Sequence, residues 1–194
     1  MPRQTASDVV IWSADVGKST LYTTLLNTRS PLVYVKLDRL GLTTMGLEAI
    51  TFAQDHGFKV FADAKIVEIP DKSLALAKLH LQYEPWMLNC MAGIVSSGDM
   101  NAEDEKKRDG LKRFADACHK VGTRPCAVTV LTSKTANVVK REFHGRNSID
   151  QVLCYVEWLL EAGFTDLVCS TEELLAIRAE PRFDDLGINA PGIR

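Results

Sequence analysis

Short apolar runs alternate with longer amphipathic stretches along almost the whole chain, which predicts a repeating β-then-α order. Val9–Trp12 reads as a first strand with Lys18–Leu26 helical behind it, and Leu32–Leu37 with Thr44–Gln54 as the next pair. Phe58–Ala62 is a third strand, bracketed by His56-Gly57 and Ile69-Pro70, and Leu74–Leu81 is its helix. Pro85–Cys90 reads as the fourth strand, followed by a helix that opens at the charged stretch Glu103–Arg108 and reaches Val121. Pro125–Leu131 is the fifth, continuous in apolar residues as a parallel strand covered on both faces should be. A helical pair follows, its second member Ile149–Leu160 ending at Gly163. Asp166–Cys169, the helix Glu172–Ala179 and the short strand Leu186–Ala190 complete the pattern.

Strict alternation with short connections implies parallel strands and right-handed crossovers within one α/β domain over residues 1–194. The pattern alone leaves a doubly wound open sheet and a closed barrel equally available. Neither G-x-G-x-x-G nor a Walker loop follows the first strand, which weakens the nucleotide-fold readings.

Composition narrows the partners. The chain has 194 residues, 46% hydrophobic and 25% charged, with a formal net charge of −2, the profile of a globular domain. No basic excess points to nucleic acid, whereas small anionic substrates depend on local charge and stay compatible. Five cysteines (Cys90, Cys118, Cys126, Cys154, Cys169) without a C-x-x-C pair favour a reducing compartment over a disulfide framework. Met1–Asp8 is polar and lacks the apolar core of a signal peptide, and no apolar run approaches the roughly 18 residues of a membrane span. The expectation is a cytoplasmic protein with no membrane or nucleic-acid partner. His56, His80, His119 and His144 stand in polar company on helices or loops, where ordinary surface roles suffice.

The informative charges sit at strand ends. Residues two apart on a strand share a face, so Asp63 and Lys65 are expected to point the same way at the end of strand three. Lys36 lies near the end of the neighbouring strand, and Asp15 at the corresponding end of strand one. Four such charges suit the mouth of an α/β barrel, where catalytic residues gather; the plainer alternative is a set of surface salt bridges on unrelated loops. Alternating signs make a cluster tolerable, because a lysine between carboxylates keeps its proton against desolvation.

Several stretches, in order, resemble the orotidine 5′-monophosphate decarboxylase family. Val35-Lys36 followed by Asp63-Ala64-Lys65-Ile66-Val67-Glu68-Ile69-Pro70 looks like its Lys and D-x-K-x-x-D-I-P segments. Ala127–Ser133 is similar to its A-V-T-x-L-T-S strand, Val168-Cys169-Ser170 with Glu173 to its V-C-S-x-x-E stretch, and Pro191-Gly192-Ile193-Arg194 to its P-G-I-R. The resemblance covers essentially the whole chain. It implies a TIM-type (β/α)8 barrel that converts orotidine 5′-monophosphate to UMP and carbon dioxide in pyrimidine biosynthesis. It further implies a homodimer with shared active sites and no metal or organic cofactor.

Carried over residue by residue, the resemblance makes Lys65 the proton donor and sets Asp63 against the departing carboxylate. Lys36 balances Asp63 and reaches the ribose, and Asp15 binds a ribose hydroxyl. Ser133 meets the pyrimidine edge, Pro191 packs nearby, and Arg194 closes the substrate-binding set. The family's strand-four histidine aligns with Cys90. Glu68 stands where the family has the Asp that reaches the partner subunit's site. Lys72 stands where a Thr contacts the partner's substrate; a lysine there either approaches a phosphate or hydroxyl or lies in solvent. The sequence stops at Arg194, directly after strand seven, so the eighth β/α unit and the phosphate-gripping lid are absent from it. The expectation is a barrel truncated at its C-terminus, the record of a longer chain. The rival readings are a Mg²⁺-dependent barrel of the 3-hexulose-6-phosphate synthase or 3-keto-gulonate-6-phosphate decarboxylase type, and a nucleotide-binding barrel without turnover.

Overall fold

The computed structural model describes residues 10–15, 20, 23–24, 33–93 and 100–192, with backbone only at 100–107. Among the described residues there are seven strands: β1 Ile11–Ser13, β2 Tyr34–Asp38, β3 Lys59–Ile66, β4 Met87–Met91, β5 Arg124–Val128, β6 Asp166–Val168 and β7 Gly187–Asn189. Between them lie α1 Arg39–Met45 and α2 Glu48–Asp55 after β2, α3 Pro70–Leu81 after β3, and α4 Met100–His119 after β4. Helices α5 Ala136–Glu142 and α6 Ser148–Glu161 follow β5, and α7 Thr171–Arg178 with a 3-10 turn at Pro181–Phe183 follows β6.

All seven strands pair in parallel and in strictly sequential order, β1 to β7. This order settles what periodicity left open. A doubly wound sheet reverses its strand order partway, whereas a barrel adds each strand on the same side of the last. Two separate cores agree with it. Val35, Leu37, Val60, Ala62, Leu88, Cys90, Ala127 and Leu167 face outward into the helix layer. Phe61, Met87 and Cys126, with Ile11, Trp86 and Val168 against them, form a smaller cluster on the inner face.

Most predicted elements appear, with shifted ends. The helix read over Thr44–Gln54 is two helices, broken at Gly46, whose φ of +83° suits glycine. The helix begins directly after β2 because Asp38 Oδ1 accepts the Gly41 N–H at 2.7 Å, an N-cap on the last strand residue. Strand three runs four residues beyond Ala62. Strand five stops at Val128, and Thr129 turns to bond the Val168 carbonyl through both its N–H and its hydroxyl. The helix predicted at Lys18–Leu26 lies outside the described residues except for Thr20, Thr23 and Thr24, which are helical.

The N-terminal ends of the strands are closed by rings and charges. Tyr34 and Trp86 meet at 4.5 Å, Arg124 lies over Trp86, and Arg124 Nε donates to Asp166 Oδ2 at 2.8 Å. Thr165 Oγ1 holds the same oxygen at 2.7 Å, so the buried Asp166 carboxylate has little freedom. A Cβ at Gly187 would stand 2.2 Å from its other oxygen. Gly187→Ala is therefore expected to destabilise the fold by roughly 1–3 kcal/mol in urea denaturation, as overpacking does. The loss should shrink markedly in an Asp166→Ala background; equal losses in both would show that the carboxylate is not the obstacle.

Candidate active site

The opposite ends of the strands carry the charges. β2 and β3 run in register, with Lys36 beside Phe61 and Asp38 beside Asp63, and Ser13 of β1 pairs Lys36. That register brings Lys36 Nζ to 3.0 Å from Asp63 Oδ2 and 3.0 Å from Asp15 Oδ1. Lys65 Nζ donates to the same Asp63 oxygen at 2.6 Å. Ser13 Oγ donates to Asp15 Oδ2 at 2.8 Å, fixing the outer end of the array. Asp15, Lys36, Asp63 and Lys65 therefore form one chain of alternating sign, not unrelated surface pairs.

Asp63 is the buried member, its side chain 7% exposed, against 20% for Lys36, 39% for Lys65 and 57% for Asp15. Burial is the largest influence on Asp63 and pushes its pKa up. The charges of Lys36 and Lys65 and the hydrogen bonds from Lys65 and Asn89 outweigh it, leaving the pKa below the ordinary value. Lys36 mirrors this: burial lowers its pKa, and Asp63 and Asp15 together raise it above the usual lysine value. For Asp15 burial again opposes, and the bonds from Ser13 and Lys36 prevail, so its pKa is lowered.

Asp63 and Lys65 meet, though not along a regular pleat. The β3–β4 register shifts between Ala62↔Leu88 and Ile66↔Cys90, so residues 63–65 of β3 face the single residue Asn89 of β4. Within this bulge Lys65 adopts φ +44°, a left-handed conformation uncommon for a residue with a Cβ. Asn89 Nδ2 donates to Asp63 Oδ1 at 2.6 Å, and its Oδ1 accepts the Lys65 N–H at 2.7 Å. Asn89 is the residue the sequence reading missed. Cys90 is fully buried in the helix-layer core, so the strand-four side chain at the site is the one before it. The alternation Met87, Asn89, Met91 was the available signal, with one polar residue on the inward face.

The remaining candidates are spread along the same rim. Glu68 is exposed in the β3–α3 connection; its carbonyl accepts from Ser73 Oγ at 2.8 Å, and its carboxylate has no ion-pair partner among the described residues. Lys72 is exposed in the first turn of α3. Ser133 is exposed in the turn after β5 and Pro191 in the segment after β7; neither bonds to the charged array, and Arg194 lies outside the described residues. His56, His80 and His119 each meet a backbone carbonyl, of Phe52, Leu76 and Gly163 respectively. Among the described residues no three His, Cys, Asp or Glu side chains gather as a metal-binding group, and no helix is long and apolar enough to cross a membrane. A groove of about 600 Å³ on the outer face, lined by Leu74, Lys78, Leu81, Arg113 and Lys120 among others, belongs to the helix layer and not to the strand ends.

No family model matches the chain. Among curated proteins it is 29% identical over 160 residues to orotidine 5′-phosphate decarboxylase of Chromohalobacter salexigens, covering 82% of this chain and 63% of that protein. It is 28% identical over 200 residues to the enzyme of the same name from Moorella thermoacetica, covering all of this chain and 75% of that one. The match thus spans less than two thirds of the first of these relatives and three quarters of the second. Among solved structures, orotidine 5′-phosphate decarboxylase from Lactobacillus acidophilus shares the fold at a TM-score of 0.78 with 24% identity, over 96% of this chain and 81% of that one. The Methanocaldococcus jannaschii orotidine 5′-monophosphate decarboxylase does so at 0.74 with 15% identity, over 95% and 81%. By sequence over most of its length the chain is similar to orotidine 5′-phosphate decarboxylases, and over nearly all of it the fold is theirs.

Proposed function

We propose that this protein decarboxylates orotidine 5′-monophosphate to UMP and carbon dioxide without a metal or organic cofactor. The observation that carries the reading is the alternating array of Asp15, Lys36, Asp63 and Lys65 at the strand ends. In this reaction the bond to the carboxylate breaks and its electron pair stays on the pyrimidine carbon. That carbon needs a cation beside it and then a proton. Lys65 supplies both: its ammonium stabilises the developing charge and then donates the proton that forms the new C–H bond. Solvent restores the proton to the neutral amine.

Asp63 lies against the departing carboxylate, held in place by Lys36, which also reaches the ribose; Asp15 takes a ribose hydroxyl. Ser133, Pro191 and Arg194 complete the substrate pocket. Glu68 and Lys72, exposed on their own chain, reach the site of a partner subunit in a homodimer. The magnesium-dependent reading is disfavoured because the Lys36 ammonium stands between the carboxylates of Asp15 and Asp63, where a divalent ion would have to sit.

Purified protein should consume orotidine 5′-monophosphate, followed by its absorbance, at the same rate with and without EDTA. Lys65→Ala should abolish turnover while leaving circular dichroism unchanged; near-normal turnover would sink the assigned mechanism, and UMP binding without any turnover would identify a binding barrel. Glu68→Asp should preserve or raise activity, since about an ångström of displacement matters in a preorganised site; a large loss would show that the local backbone is fitted to glutamate.

The array also predicts a pH window. A depressed Asp63 contributes stability that is present above its unfolded value, near 3.8, and is lost as pH falls through the lower folded value. A raised Lys36 contributes stability that is complete below 10.5 and lost as pH rises through the higher folded value. Urea midpoints should therefore hold level between these limits as far as the array contributes. Asp63→Asn should give a lower midpoint at neutral pH and a shallower acid limb; an acid limb identical to the parent's would refute the assignment.

A further inference from the structure

Asn89 is completely buried on β4, and both ends of its amide are engaged. A carboxylate can only accept and a backbone N–H can only donate, so the amide's orientation is dictated by Asp63 on one side and Lys65 on the other. The bonds act on different things. One holds the rotation of the Asp63 carboxylate, leaving the other oxygen for Lys36 and Lys65. The other takes up the N–H of Lys65 inside the bulge, where three residues of β3 face one of β4 and the regular ladder has no partner to offer.

We propose that Asn89 is a positioning residue, whose amide holds the left-handed backbone of Lys65 and the rotamer of Asp63 together so that the ammonium stays on the site side of the strand. The inference rests on the reading above of Lys65 as proton donor. A residue with a Cβ leaves the left-handed region readily when nothing holds it there. Relaxing Lys65 to ordinary extended geometry redirects its side chain, because side-chain direction along a strand follows the backbone. Asn89 serves the ammonium and its acceptor and not the groups assigned to the ribose or the pyrimidine edge. Its loss therefore falls on the chemical step and spares binding.

The test uses the full-length protein with Asn89→Ala and Asn89→Ser, measuring kcat and KM for orotidine 5′-monophosphate and, by ¹³C NMR, the titration of the Asp63 carboxyl. Besides Asn89, the groups acting on that carboxyl are Lys36 on β2 and Lys65 on its own strand, with the charges of Asp15 beyond β1 and the Cys126 thiol on β5 coupled to it and Asp38 beside it in the β2 register; none is altered. Asn89→Ala should lower kcat by about 30-fold or more with KM within about threefold, the pattern of a misplaced reacting group. Asp63 should titrate at higher pH, because a hydrogen bond to its charged form is gone. Asn89→Ser, whose hydroxyl can donate to Asp63, should recover part of both changes, and it carries the measurement if the alanine variant does not fold. An unmoved Asp63 titration in the folded variant overturns the inference whatever the turnover. So does an unchanged kcat in an active protein, or a rise in KM that accounts for the whole loss. Absence of turnover in the unmodified protein would instead overturn the proposed function, with the Asp63 titration still deciding the role of Asn89.

Discussion

One buried carboxylate sets the terms for this end of the molecule. Asp63 sits at the end of β3 with its side chain 7% exposed, and an ionised carboxylate in that position is tolerable only if its oxygens are met by donors. Three arrive, each from a different source: Lys36 from β2, Lys65 from two residues along the same strand, and Asn89 from β4. Satisfying Asp63 therefore ties together the register of β2 with β3, the bulge in β3 and the facing of β4. Removing any of the donors would leave the carboxylate short of a partner in a place water reaches poorly. The same arrangement explains why burial, the strongest single influence on Asp63, does not prevail over its ionisation.

Parallel, sequential strands give the two ends of the sheet different tasks. At the N-terminal end, Tyr34, Trp86, Arg124 and Asp166 close the interior with ring contacts and a held ion pair, and nothing in that group is arranged to take a ligand. At the C-terminal end the side chains are polar, partly exposed and bonded to one another. Strain at that end is held by local bonds. The left-handed Lys65 is an example: a residue of that kind persists only when its surroundings over-determine it.

The division between what was legible in the sequence and what was not follows from the physics of each feature. Alternation of apolar runs located all seven strands, since parallel strands buried on both faces must be apolar throughout. Element ends shifted where a local cap or turn intervened, as at Asp38, whose side chain starts a helix directly from the strand. Asp63 and Lys65 were expected together through simple two-residue alternation, and they are together, but by way of a bulge that periodicity cannot express. Asn89 escaped notice because a single polar residue within an apolar run carries no period of its own, while Cys90 beside it drew the alignment. Its bonds to Asp63 and Lys65 follow only from β3 and β4 lying side by side.

The composition of the array also limits what it can do. Two carboxylates and two ammonium groups bonded in alternation carry no net charge, so the cluster has no general attraction for an anion. What it offers is a fixed direction of charge, with a cation beside the reacting carbon and a carboxylate beside the departing group, on the proposed reading. A nucleotide's phosphate must then be held by groups outside the array, at a distance from the chemistry. Such a separation is useful: binding energy gathered at a remote anchor can be spent on seating a carboxylate against Asp63, a contact no free substrate would choose. On that reading the neutral array is suited to discriminate along the reaction and not to capture the substrate, and capture is the task of other groups.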